Sequence, residues 1–213
     1  MIKGMIFDLD GVIVSTDDCH YLAWKRMADE EGIYFDREIN ERLRGVSRMD
    51  SLQIILERAA KPYTQTEKEA MAARKNDYYV ALIQKLTPAD ILPGAAETLA
   101  ALRQKGVKMA IGSSSRNTPV ILERIGLSTA FDAVADGNQI TRSKPDPEVF
   151  LLAARLLGLA PAECLVVEDA DAGVEAALAG GMKALGVGSA AANPSATYRA
   201  KSLAELKLET VLG

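Results

Sequence analysis

Two carboxylates one residue apart, Asp8 and Asp10, follow the apolar run Met5-Ile6-Phe7 and precede Gly11. Along an extended chain alternate side chains share a face, so Asp8 and Asp10 point together and Leu9 points away. Two acids aimed at one point repel each other unless a cation, a proton or a basic group lies between them. A hard divalent cation, most often Mg2+, meets that need with oxygen ligands and leaves room for phosphate oxygens. Taken alone, the stretch also reads as a solvated turn after a strand.

Three further polar groups bear on that choice. Ser113, Ser114, Ser115, Arg116 and Asn117 follow the apolar run Met109-Ala110-Ile111-Gly112. Lys144 lies in Lys144-Pro145-Asp146-Pro147, and Glu168, Asp169 and Asp171 follow Leu165-Val166-Val167. Hydroxyls and backbone N–H groups bind phosphate, and a lysine neutralises its oxygens as a point charge. Acids from two strand ends supply metal ligands. Together these groups suit phosphoryl transfer through an aspartyl-phosphate. Asp8, directly at the strand end, is the expected nucleophile. Asp10, on the turn, reaches the leaving or accepting oxygen as general acid/base.

The elements that must position these groups can be read from periodicity. The first strand covers about residues 2 to 8. Helical spacing starts at Thr16 and carries Tyr21, Trp24, Met27 and Ala28 as far as Gly32. Helices are expected at about 36 to 43, 48 to 60 and 65 to 86, with a stripe Leu52, Ile55, Leu56, Ala59 and another through Met71, Tyr78, Leu82 and Lys85. From about residue 89 strands and helices alternate. Strands are expected at 108 to 112, 133 to 135, 165 to 167 and 183 to 187, and helices near 94 to 105, 117 to 126, 147 to 157, 171 to 179 and 202 to 212. Residues 189 to 196 read as a loop. Alternation of this kind implies a parallel sheet covered on both faces. The fold class is therefore α/β, a Rossmann-like parallel sheet core with an inserted small α-helical cap domain. The core comprises 1–15 and 88–213, and the cap 16–87. In open α/β sheets ligands bind beyond the C-terminal ends of the strands, where every polar group above falls.

Composition narrows the partners. The net charge is −4, with 48% hydrophobic and 25% charged residues. An acidic chain disfavours nucleic acid or an anionic membrane as main partner. The apolar runs are too short to span a bilayer, and residues 1–4 lead into a strand without a secretory pattern. Cys19 and Cys164 form no metal or redox motif, and Cys164 reads as a small buried hydrophobe. The expectation is a cytoplasmic monomer.

The ordered set Asp8-Leu9-Asp10-Gly11, Ser113 with its following loop, Lys144-Pro145-Asp146-Pro147 and Glu168-Asp169 resembles the haloacid dehalogenase superfamily of phosphotransferases. Within it, the resemblance to the β-phosphoglucomutase family extends through the insert. It is carried there by His20-Tyr21-Leu22-Ala23-Trp24, Gly45-Val46-Ser47-Arg48 with Ser51-Leu52, Arg74-Lys75-Asn76, and Thr87-Pro88-Ala89-Asp90 with Pro93-Gly94. The resemblance implies conversion of β-D-glucose 1-phosphate to glucose 6-phosphate through β-glucose 1,6-bisphosphate, with Mg2+. It implies that Asp8 is nucleophile and metal ligand, that Asp10 is acid/base and lends its backbone carbonyl to the metal, and that Glu168 and Asp169 complete the metal site. Ser113, Ser114 and Lys144 would hold the transferring phosphate, and Arg48, Ser115, Arg116 and Asn117 the other one. Thr16 and His20 would tie Asp10 to cap closure. Trp24, Arg44, Gly45, Val46, Ser47, Ser51 and Lys75 would complete the substrate set. Arg44 and Arg116 depart from a usual Lys, which keeps charge but not geometry. Ser114 and Ser15 are small variations, and 189 to 200 does not match clearly.

A mutase must hold two phosphates at once and accept the sugar both ways round. Arg48 and Arg116 are the natural parts of a second anion site, because guanidinium binds phosphate bidentately. A Mg-dependent sugar-phosphate phosphatase of the same superfamily needs no such pair and is the alternative reading. A receiver-type signalling module, the third, predicts one sheet domain without a large insert.

Overall fold

The computed structural model describes residues 1–43 and 46–213. Its centre is a parallel sheet of strands β1 (Gly4–Phe7), β2 (Lys108–Gly112), β3 (Ala133–Ala135), β4 (Cys164–Glu168), β5 (Lys183–Gly186) and β6 (Tyr198–Arg199), in the order β3-β2-β1-β4-β5-β6. β1 lies between β2 and β4, with Phe7 opposite Ile111 on one side and Val167 on the other. A strand with neighbours on both edges and layers on both faces has no solvated side, so all four residues of β1 are buried.

The two faces separate residue by residue. Met5, Phe7, Met109, Ile111, Leu165 and Val167 belong to one buried cluster, and Ile6, Ala110, Cys164 and Val166 to the other. This is the period of two that alternating strand side chains require. Helices α5 (Ala95–Gln104) and α6 (Thr118–Arg124) pack with the first cluster, α7 (Glu148–Leu157) and α8 (Asp171–Ala179) with the second. Here α1 to α4 are Asp17–Glu30, Arg37–Glu41, Arg48–Leu56 and Gln65–Ile83, and α9 is Leu208–Leu212.

In chain order helices α1 to α4 fall between β1 and β2, and they enclose a third cluster, which includes Trp24, Met27, Phe35, Leu52 and Ile55. Each such fully buried side chain contributes roughly 1.5–3 kcal/mol. α4 begins at a reciprocal cap: Thr64 N donates to Glu67 Oε2 at 2.7 Å and Glu67 N to Thr64 Oγ1 at 3.3 Å. The insert is not sealed from the sheet, since Ala23, Tyr79 and Ile83 join the first cluster. This helical block is what a receiver module lacks. Among the described residues no helix is long and apolar enough to cross a membrane.

Several boundaries differ from the sequence expectation. The buried stripe of α4 is Met71, Ala72, Lys75, Tyr79 and Ile83, not Met71, Tyr78, Leu82 and Lys85. A lysine occupies a buried position, so apolar spacing alone chose the adjacent face; Tyr78 instead bonds Glu30 at the surface. Helices α2, α3 and α4 are shorter than expected, and β1 ends at Phe7. The segment expected as a loop forms a 3-10 turn, Gly188–Ala192, before the edge strand β6. The expected last helix is split into a 3-10 turn at Leu203–Glu205 and α9.

Candidate active site

The parallel strands β1, β2 and β4 deliver their C-terminal ends side by side, at the point where strand order reverses. Asp8 follows β1, Ser113 follows β2, and Glu168 ends β4 with Asp169 next to it. A cavity of about 630 Å3 opens above them, roofed by the helical insert. Lys144, in the loop from β3 to α7, donates from Nζ to Asp8 Oδ1 at 2.6 Å and to Glu168 Oε1. Glu168 Oε2 accepts from Ala170 N at 2.9 Å. Burial, opposed by Lys144, raises Asp8 to about 7, and Glu168 and Asp10 push it the same way. Burial would lower Lys144, but Asp8 and Glu168 outweigh it and hold the ammonium above its usual range.

One oxygen from each of Asp8, Glu168 and Asp169 lies within 4.8 Å of the others. Lys144 is one positive charge against these three carboxylates, so the donor set is hard, oxygen-only and short of positive charge, which fits a divalent cation. Gly11 makes the arrangement possible. Its φ is +75°, and a Cβ there would overlap the Asp169 carboxylate.

Asp8 and Asp10 line the same cavity while Leu9 enters the core, as alternation predicts. Their carboxylates nevertheless have different surroundings. Thr16 N donates to Asp10 Oδ1 at 2.7 Å, Thr16 Oγ1 donates to Oδ2, and His20 Nε2 stands 3.5 Å from Oδ2. Burial would raise Asp10, but the His20 and Thr16 hydrogen bonds prevail and hold it below the usual carboxylate range. The Asp10 carboxylate is thus outside the three-acid cluster.

A second layer lies behind this pair. His20 Nδ1 is 2.9 Å from Lys75 Nζ, and Thr16 Oγ1 is 3.0 Å from Tyr79 OH. Whenever Lys75 is protonated it can only donate, and His20 Nδ1 then accepts with the ring proton on Nε2, facing Asp10. Burial and then Lys75 lower His20, which keeps it neutral near pH 7. Lys75 is buried and lowered to about 7 by burial and then by Arg48, with Trp24 and Tyr79 rings 4.8 and 4.6 Å from its Nζ. Tyr79 is absent from the sequence-derived set. The helical spacing read for α4 ran through Tyr78 instead, and the Tyr79 hydroxyl that reaches Thr16 is invisible to periodicity.

The cavity is also lined by Arg48, the first residue of α3, and by Arg116 after β2. Burial and then Arg116 lower Arg48. Two like charges held together in a cleft make a site for an anion between them. Ser113 Oγ accepts from Ser115 N, and Ser115 Oγ accepts from Asn117 N, both at 3.2 Å. Ser114 Oγ is buried and has no hydrogen-bond partner among the described residues.

Trp24, Val46, Ser47, Ser51 and Lys75 line the same cavity, as do Ser113 through Asn117. Thr16 does not; it is fully buried behind Asp10. Arg44 and Gly45 lie outside the described residues. Asn76 and Gly137 are not among the sequence-derived site residues, yet both line the cavity.

The family model for haloacid dehalogenase-like hydrolases matches residues 2–181. The chain is 44% identical over 210 residues to the β-phosphoglucomutase of Bacillus subtilis strain 168, covering 98% of this chain and 93% of that protein. A phosphorylated carbohydrates phosphatase of Thermotoga maritima is 29% identical over 215 residues, covering 99% and 97%. The crystal structure of β-phosphoglucomutase from Clostridium difficile superposes with a TM-score of 0.92 at 40% identity, covering 99% of this chain and 96% of that one. Likeness of this extent in both sequence and structure places the chain in the haloacid dehalogenase-like hydrolase family, as a homologue of β-phosphoglucomutase.

Proposed function

We propose that the protein interconverts β-D-glucose 1-phosphate and glucose 6-phosphate through a phosphorylated Asp8 and a bound β-glucose 1,6-bisphosphate. The observation that carries this reading is two sets of cations in one cavity: Lys144 bonded to Asp8, and Arg48 with Arg116 as a second pair close enough to act on each other. Release of phosphate to water needs only the first. The 44% identity to a β-phosphoglucomutase supports the same choice over the phosphatase reading.

In this reading residues 16–87 act as a cap over a core of 1–15 and 88–213. Asp8, Glu168 and Asp169, with the Asp10 backbone carbonyl, hold Mg2+, which offsets negative charge on Asp8 and phosphate when bound. Phosphorylated Asp8 meets β-glucose 1-phosphate, whose own phosphate rests on Arg48, Ser115, Arg116 and Asn117. Asp10 takes the proton from the C6 hydroxyl as that oxygen attacks phosphorus and the Asp8–phosphorus bond breaks. The bisphosphate turns end for end. Asp8 then attacks the C1 phosphate, and Asp10 returns the proton to the leaving C1 oxygen. Lys144, Ser113 and Ser114 hold the phosphate in flight, and Thr16 and His20 orient Asp10. Trp24, Val46, Ser47, Ser51 and Lys75 surround the sugar, with Arg44 and Gly45 in the same loop. The phosphorylated substrate and two free cysteines suit the cytoplasm.

The test is incubation with β-glucose 1-phosphate, Mg2+ and a trace of the bisphosphate, following glucose 6-phosphate against free phosphate. Glucose 6-phosphate in excess is expected. Free phosphate alone would establish the phosphatase instead. Arg48→Ala should reduce isomerisation far more than phosphate release.

A further inference from the structure

The loop after β3 makes contacts that the chemistry above does not use. Asp136 is buried, and its Oδ1 accepts from Asn138 N at 2.9 Å. Asp136 N donates to Gln139 Oε1 at 2.9 Å, and Gln139 N donates to Asp136 O at 3.0 Å. These bonds close residues 136–139 into a self-supporting turn. The turn then reaches the anion loop from behind. Gly137 N donates to Ser115 O at 3.2 Å, and Asn138 Nδ2 donates to Arg116 O at 3.0 Å. Thr118 Oγ1 also donates to Ser115 O, at 2.9 Å.

We propose that Asn138, seated beside Gly137, is a positioning residue for the second phosphate: it pins the Arg116 carbonyl from outside the cavity and so limits where the guanidinium can lie relative to Arg48. The inference rests on the mutase reading and deepens it. Its physical basis is the repulsion between the two arginines. Arg116 is exposed and Arg48 half-buried, so a loop free to move would carry Arg116 toward solvent. Arginine also has high rotamer entropy, and fixing its backbone limits the arcs its head can sweep. A site held open against its own repulsion gains most when a dianion arrives.

Gly137 is what lets the turn come so close. A Cβ there would overlap the Ser114 carbonyl oxygen and lie 3.0 Å from Arg116 N. Its φ is not in the left-handed region, so the demand is for space and not for conformation. Asn138 does not line the cavity and touches no phosphate ligand directly except through backbone.

The experiment uses two backgrounds. In the inert Asp8→Asn protein, calorimetric titration with β-glucose 1,6-bisphosphate and Mg2+ reads binding without turnover. Loss of one hydrogen bond predicts binding about 3–10-fold weaker in Asp8→Asn/Asn138→Ala. Asn138→Gln, which keeps an amide donor, should recover at least half of that loss. In the Asp8 background, KM for β-glucose 1-phosphate should rise by a similar factor with kcat within about twofold, since the bond acts on binding and not on the reacting oxygens. Equal titrations with and without Asn138→Ala, equal weakening by the Ala and Gln substitutions, or a fall confined to kcat would overturn the inference. If the parent protein makes only free phosphate, the mutase reading fails, and the titration still decides whether Asn138 positions Arg116.

Discussion

Asn117 Nδ2 donates to Asn76 Oδ1 across 3.1 Å, and this bond joins the sheet half of the molecule to helix α4 of the insert. Asn117 precedes α6 in the anion loop, and both asparagines line the cavity. The bond therefore fastens the insert down and also fixes the amide expected to meet the second phosphate. A partly buried bond between neutral groups is worth about 0.5–1.5 kcal/mol, so Asn76→Ala should raise KM for β-glucose 1-phosphate about 2–10-fold, with a melting temperature lower by no more than about 6 °C. Asn76→Asp keeps the acceptor but adds a negative charge to the anion site, and its KM should rise further than that of Asn76→Ala. Steady-state kinetics decide it; an Asp variant better than the Ala variant would show that charge in this part of the cavity is irrelevant.

Asp8 gives a prediction for the metal-free protein. Its folded value, about 7, lies above the ordinary 3.8 because of burial. Between those values the folded protein holds a proton that the unfolded chain has lost. This contribution to stability is full below pH 4 and disappears as pH rises through 7. Asp8→Asn keeps an acceptor for Lys144 without the charge. In the presence of a chelator it should be at least as stable as the parent at pH 7.5, with the difference shrinking toward pH 4, while forming no phosphoenzyme. Added Mg2+ should raise the parent's melting temperature more than the variant's. Denaturation scans across pH, with and without Mg2+, check both signs; a variant less stable at pH 7.5 than at pH 4 relative to the parent contradicts the argument.

The acids were legible because Asp8, Asp10 and the pair Glu168-Asp169 come directly after apolar residues, and strand direction in a parallel sheet sends all of them to one edge; Lys144 was legible from its Lys-Pro-Asp-Pro stretch in the loop after the third strand. Lys75 reached the expected set only through family resemblance, since its charge breaks the apolar spacing of α4 that would have shown it buried. Tyr79 was missed for a related reason, because the spacing read on α4 ran through Tyr78 and so turned the adjacent face inward. Asn138 and Gly137 lie in a stretch that periodicity can only describe as loop. Their role comes from backbone carbonyls of Ser115 and Arg116, which side-chain identity does not reveal. β6, two residues long after an Ala-rich segment, offers no run from which to read a strand.

Lys75 supplies a pH dependence of opposite direction to that of Asp8. It faces His20, Trp24, Tyr79 and Arg48, and burial and then Arg48 lower it from 10.5 to about 7. Between pH 7 and 10.5 the unfolded chain binds a proton that the folded protein does not, so stability rises with pH across that window. Lys75→Met keeps the length and removes the proton. Relative to this variant, the parent should be least stable below pH 7 and should gain by pH 10. Urea titrations of both proteins at pH 6, 8 and 10 measure the difference; a constant offset would mean that Lys75 is charged in the folded state throughout.

Tyr79 acts at one remove from the general acid/base. Thr16 Oγ1 has one proton and gives it to Asp10 Oδ2, so in the 3.0 Å contact with Tyr79 the phenol is the donor. The chain Tyr79 to Thr16 to Asp10 polarises in one direction and strengthens the bond that holds Asp10 ionised. Tyr79→Phe keeps the ring, tilted against His20 with centroids 4.1 Å apart, and removes only the hydroxyl. With that support gone, the Asp10 carboxyl should titrate at a higher pH, moving the acid limb of the kcat profile upward. Loss of one bond in a chain of two predicts a fall in kcat of about 3–10-fold, with KM nearly unchanged because no sugar contact is lost. The pH–rate profile separates this from a packing defect. A packing defect would lower stability and kcat together and leave the acid limb where it was, whereas a shifted limb at unchanged melting temperature assigns the effect to the proton that Asp10 moves.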